Sequence, residues 1–177
     1  MREKTKKICY VALAAAVLCV LSPWAIYATA VPITLSFLAV LLISWLFEPR
    51  VAFCATLIYV ALGAVGAPVF AGFVGGFQVI AGPTGGFILS YPVTALICSA
   101  FGTTTVKKLI FGAVSAILSY IMGIGWMSFT TSGGTEGFGA SLCTLSYLIV
   151  IFILVDLAKI IVAMIFSSEI KKRIKSI

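Results

Sequence analysis

The stretch LVDLAKIIVAM places Asp156 and Lys159 three residues apart within a long apolar run, so a helix carries both on one face. If that run lies in a membrane, each charge costs about 2.5–3.5 kcal/mol on insertion scales. Pairing lowers the cost, and a purely structural pair within the helix is one reading. Two apolar residues would avoid the cost altogether, so the pair also points to a ligand. In such a site the carboxylate accepts hydrogen bonds from N–H groups, while the ammonium donates to a carbonyl or carboxylate oxygen. Counted from a helix start near residue 144, Asp156 lies about 18 Å along the axis, roughly halfway across a bilayer. A pocket opening from the outer side would reach it.

The second informative stretch is residues 63–86, GAVGAPVFAGFVGGFQVIAGPTGG. No G-K-[ST] follows these glycines, which excludes a phosphate-binding loop. Flexible linkers are polar and this one is apolar, so it reads as backbone folded closely over a pocket. Phe70, Phe73, Phe77 and Tyr91 are candidates to enclose a ring-shaped ligand. Gln78 offers an amide contact or, equally, a solvent-facing loop residue. Thr84 is placed to cap the following helix, with the amides of Gly85 and Gly86 pointing outward at its positive end. Such a terminus can hold a carboxylate, or it can simply be capped.

Other chemistry is excluded by what the chain lacks. It has five cysteines (Cys9, Cys19, Cys54, Cys98 and Cys143), none in C-x-x-C spacing, and no histidine, so no metal site is expected. Asp156 is the only aspartate, and Glu48 and Glu136 are expected in loops, so a two-carboxylate intramembrane hydrolase has no second carboxylate. We therefore expect no catalytic residues and no enzyme.

These residues need a scaffold, and composition says which. Of 177 residues, 62% are hydrophobic and 10% charged, too few charges to cover a soluble surface. Six apolar runs stand out, at about 8–27, 33–47, 51–66, 86–102, 108–128 and 144–167, with a kink expected at Pro92. The expected fold is all-α: one polytopic membrane domain over 1–177 with six transmembrane helices. The net charge of +7 comes in short clusters between the runs, which reads as membrane orientation rather than nucleic-acid binding. With both termini cytoplasmic, 1–7, 48–50, 103–107 and 168–177 are inside, and 28–32, 67–85 and 129–143 are outside. Every Lys and Arg except Lys159 then lies inside or at the inner boundary. A competing reading takes residues 1–30 as a signal peptide cleaved after Ala28-Thr29-Ala30. The long apolar stretch and the small residues Ala12, Ala15 and Ala16 favour a retained packing helix instead. No internal repeat suggests an alternating-access transporter.

VPITL at 31–35, GAPVFAGFVGGFQVIAGPTGG at 66–86, DLAK at 156–159 and the YVALAAA of the first run resemble the BioY family, across nearly the whole chain. That family supplies the biotin-binding S component of energy-coupling factor (ECF) transporters. The resemblance implies six helices in a bacterial cytoplasmic membrane and biotin captured from the external side. It also implies partnership with a membrane coupling protein and two ATPases, through which alone ATP enters; the chain itself needs no cofactor. It suggests Asp156 and Lys159 as ligand contacts. The segments 31–37, with Thr34, and 72–86, with Phe73, Gln78, Thr84, Gly85 and Gly86, would close the site, and Tyr91 would line it. Ala12, Ala15 and Ala16 would dock the coupling protein. Two departures stand out: Ser36 where the family pattern has Gln, and Leu154-Val155 where a proline-glycine pair is usual. An S component for another small vitamin, or a structural membrane subunit, stays open as an alternative.

Overall fold

Proline and charge set the first helix boundaries. Helix α1 (Arg2–Leu21) stops two residues short of Pro23, and α2 (Ser36–Leu46) ends before Glu48-Pro49-Arg50. Pro49 then opens α3 (Pro49–Val65), where its missing N–H is no loss, and Gly66 closes that helix at φ 114°. A short α4 (Phe77–Ala81) follows, then α5 (Gly85–Phe101), α6 (Thr105–Ser132) and α7 (Glu136–Lys175). The computed structural model describes residues 2–26, 33–132 and 136–175, with side chains over 3–26, 33–130 and 152–173. Ala28-Thr29-Ala30, Val31-Pro32 and the side chain of Cys143 lie outside these.

The chain is mostly helical, with one addition to the all-α expectation. Strands β1 (Ala25–Ile26) and β2 (Ile33–Thr34) pair antiparallel, Ala25 opposite Thr34 and Ile26 opposite Ile33. Each of the six apolar runs is mostly helical, but the ends differ: 8–27 runs past α1 into β1, 33–47 begins in β2, and other helices extend beyond their runs. Backbone helix extends α6 to Ser132 and starts α7 at Glu136, into the segment 129–143 expected as a loop, and Glu48 is the N-cap of α3. Hydropathy marks where lipid is the solvent, whereas helical hydrogen bonding continues into polar sequence until something stops it. Helix α5 runs through Pro92 unbroken.

The long helices pack in a ring, α1–α3–α5–α6–α7–α2, closed by α2 against α1 and crossed by α2 against α5. Eight of the eleven residues of α2 are buried, among them Phe37, Val40, Leu41, Ile43 and Trp45. At about 16 Å this helix is too short to cross a bilayer alone. Its ends lie among other helices instead of in lipid, the setting in which a short element is tolerated. The outward faces are apolar: Leu13, Ile58, Leu96, Ile117, Ile121, Leu154 and Phe166 are all exposed. Residues Thr105–Thr130 are long and apolar enough to cross a membrane by themselves. This is a membrane protein.

One end of the bundle gathers the cations. Lys7 meets Glu48 at 2.9 Å, joining the start of α1 to the α2–α3 turn. Lys108, near the start of α6, donates to Ser167 Oγ on α7 at 2.8 Å and lies 5.4 Å over the Trp45 ring. Trp45 sits in the last turn of α2, where a helix terminus favours a cation. The glycine-rich segment and the two strands close the other end.

Candidate functional site

The glycine-rich segment folds back on α3 through its own backbone. Gly76 N–H donates to Gly63 O at 2.7 Å, Ala67 N–H to Leu62 O at 3.1 Å and Gly72 N–H to Pro23 O at 2.8 Å. Gly72 (φ 77°) and Phe73 (φ 59°) take left-handed conformations, which lets the chain reverse tightly between Phe70 and Val74, and Gly76 (φ 110°) takes a positive φ just before α4. At the far end of the segment, Trp126 Nε1 on α6 donates to Gly82 O at 3.1 Å.

Beneath this segment lies a cavity of about 390 Å³, within the range of small-molecule sites. Phe37, Phe70, Phe87 and Phe152 contribute aromatic wall, with Val74, Val79, Ile88 and Ile124. Hydroxyls reach it from Thr34, Ser36, Tyr59, Thr84, Tyr91, Ser119 and Tyr120. Tyr59 packs edge-on to Phe70, ring centroids 5.6 Å apart, and lies 6.4 Å from Tyr91. Ser36 is buried and donates to Ser22 O at 3.2 Å, tying the end of α1 to the start of α2.

The charged part of the cavity is on α7. Asp156 and Lys159, each 8% exposed, meet at 2.8 Å, Nζ to Oδ1. Tyr120 of α6 donates its hydroxyl to the other carboxylate oxygen. Ser119, beside it in sequence, bonds Ser90 Oγ at 2.8 Å and Thr94 Oγ1 at 3.4 Å on α5. Both oxygens of Asp156 are therefore engaged, and each keeps a lone pair for a further donor. An apolar chamber with one neutralised ion pair and a set of hydroxyls suits a small uncharged ring bearing a few polar groups.

Of the residues singled out from sequence, Thr34, Phe70, Thr84, Tyr91, Asp156 and Lys159 line this cavity together. Others do not. Phe73 is 57% exposed and packs edge-on to Trp24 at 5.7 Å, and Phe77 is also exposed. Gln78 turns back to donate to Gly75 O at 3.1 Å. Gly85 and Gly86 are buried, and their role is close approach. A Cβ on Gly85 would run into Ile80 O, and one on Gly86 into Met122 O and, at 2.5 Å, Trp126 Cβ. The Gly85 amide is not free, because it donates to Gly82 O at 3.1 Å. Thr84 holds the N-cap position without a side-chain cap bond; its carbonyl accepts from Phe87 and Ile88 at 3.2 and 3.4 Å. Sequence reasoning missed Tyr59, Ser119 and Tyr120. A signal existed in α6, where Ser115 and Ser119 are hydroxyls at i, i+4 spacing in an apolar run, marking an inward face.

Known proteins share both the sequence and the fold. The BioY family profile matches residues 1–176. The chain belongs to the BioY family. Among BioY relatives, the "Biotin transporter BioY2" of Lactococcus lactis subsp. cremoris is 38% identical over 132 residues, 72% of each chain. The "Probable biotin transporter BioY" of Pyrococcus horikoshii is 36% identical over 125 residues, 71% of this chain and 76% of that one. A crystal structure of the S-component for biotin from an ECF-type ABC transporter superposes with a TM-score of 0.80 at 23% identity. It covers 97% of this chain and 93% of the other. At that identity the likeness speaks to fold alone.

Proposed function

We propose that this chain captures biotin from the external side and carries it across the bacterial cytoplasmic membrane as the S component of an ECF importer. The observation that carries this reading is the Asp156–Lys159–Tyr120 cluster inside an aromatic cavity in a BioY family member. Biotin presents two ureido N–H donors and one C=O acceptor, an apolar thiophane ring and a carboxylate tail. Asp156 accepts from N–H, Lys159 donates to an oxygen, and Phe37, Phe70, Phe87 and Phe152 enclose the ring. Thr34, Ser36, Tyr59, Thr84 and Tyr91 supply hydroxyls for a second polar end. The whole chain acts as one membrane-embedded binding domain with no chemistry of its own.

Six spans with both termini cytoplasmic are supported by the charge distribution. Lys7, Arg50, Lys108 and Lys171 belong to the end opposite the cavity, which supports a cavity open to the outside. Energy comes from a membrane coupling protein and its ATPases. Ala12 and Ala16, exposed on α1, are proposed to meet the coupling protein; with the buried Ala15 they line an apolar groove against Cys54, Ile58 and Leu62 of α3.

Equilibrium binding of labelled biotin to the purified protein tests the reading. Saturation at one site per chain, resisted by excess thiamine or riboflavin, is expected; no saturable binding, or equal competition by those vitamins, would overturn it. The segment 67–85 is proposed to act as a lid. Val74, 46% exposed and lining the cavity, reports on it. Val74→Cys should react with a membrane-impermeant thiol reagent faster without biotin than with it, over the background of the parent chain's own cysteines. Equal rates at saturating biotin would mean that the segment is no lid.

A further inference from the structure

The Asp156–Lys159 pair does not need Tyr120 in order to form. Both charges lie on α7, three residues apart, and they meet at 2.8 Å on their own helix. An ammonium offers three donors in no fixed plane, and the last torsion of an aspartate is soft. A carboxylate held by Lys159 alone is therefore free to turn and spend both oxygens on it. Tyr120 removes that freedom. Its hydroxyl comes from a different helix and takes the oxygen that Lys159 does not. Its backbone is steadied in turn, because neighbouring Ser119 is bonded to Ser90 and Thr94 across the α5–α6 seam. The carboxylate is held from two sides, with its remaining lone pairs on a cavity that Tyr120, Asp156 and Lys159 all line.

We propose that Tyr120 is a positioning residue of the ligand site: it locks the Asp156 carboxylate in the orientation that receives the ligand's N–H donors. This rests on the biotin reading above, in which Asp156 is a ligand contact. Preorganisation of this kind raises affinity because orienting the acceptor no longer has to be done at the expense of binding.

A double-mutant cycle on the purified full chain tests it, with biotin as the probe. Tyr120→Phe removes one hydroxyl and keeps the ring, so the thermal unfolding midpoint should stay near that of the parent. Its biotin affinity should fall about tenfold, the scale of one hydrogen bond to a charged group. Asp156→Ala should also bind more weakly. Adding Tyr120→Phe to Asp156→Ala should then change little, because Tyr120 acts through the side chain that is already gone. Wild-type affinity in Tyr120→Phe would overturn the proposal. So would losses that multiply in the double variant, which would make Tyr120 an independent ligand contact or a packing residue. A parent chain that binds no biotin would instead remove the biotin reading, and this inference with it.

Discussion

Asp156→Ala should lower biotin affinity by about 10- to 100-fold, the equivalent of losing a hydrogen-bond partner to a charged group. The substitution does three things at once. It removes the acceptor offered to the ligand, strips Lys159 of its partner and leaves the Tyr120 hydroxyl without its acceptor. A buried cation without a partner is the most damaging of these for the fold, on the order of 3–5 kcal/mol when a buried pair is broken. Asp156→Asn should lose less on both counts, since its amide oxygen still accepts while the charge balance alone is disturbed. Isothermal titration with biotin, beside a thermal melt of each variant in the same detergent, separates the two effects. If both variants melt as the parent does and bind biotin with its affinity, the ligand site is not at Asp156.

Ala16→Trp should nearly abolish biotin uptake by cells, at least tenfold, while the purified variant binds biotin within about twofold of the parent. Ala12 and Ala16 are one turn apart on the exposed side of α1 and border the apolar groove of about 660 Å³ against α3. Small residues at such spacing let another helix approach closely, and an indole fills the space instead. Ala12→Trp should act in the same way. Ala15, only 5% exposed, is the contrast: a Trp there enters the core and should destabilise the protein itself. Uptake of labelled biotin in cells expressing each variant with the coupling subunits, compared with binding by the purified chain, gives the answer. Normal uptake by both exposed-face variants would place the coupling surface elsewhere.

What could be read from the sequence is what local spacing and the membrane dictate. Asp156 and Lys159 meet because a helix puts residues three apart on one face, whatever surrounds them. The apolar runs are legible as mostly helical because backbone groups held away from water must be paired, and a helix pairs them within the segment. The glycine-rich segment stood out because apolar loops are rare, and its Phe70, Ala71 and Val74 do face the cavity.

Tertiary packing decided the rest. Nothing near Asp156 in sequence indicates that Tyr120, thirty-six residues earlier, holds its second oxygen; only the α6–α7 contact brings them together. The phenylalanines of the loop were equivalent candidates until the left-handed turn at Gly72 and Phe73 sent Phe73 to Trp24 and left Phe70 against Tyr59. That Gly85 and Gly86 must be glycine is also tertiary: the carbonyls of Ile80 and Met122 occupy the space a side chain would need. Ala12, Ala15 and Ala16 are alike in composition, but α1 packs against α3 and α2 on one side only, so Ala15 is buried and the other two are not. In each case the deciding neighbour is distant in the chain, and the direction of a side chain is set by the backbone and by the helix packed against it, neither of which residue type or spacing encodes.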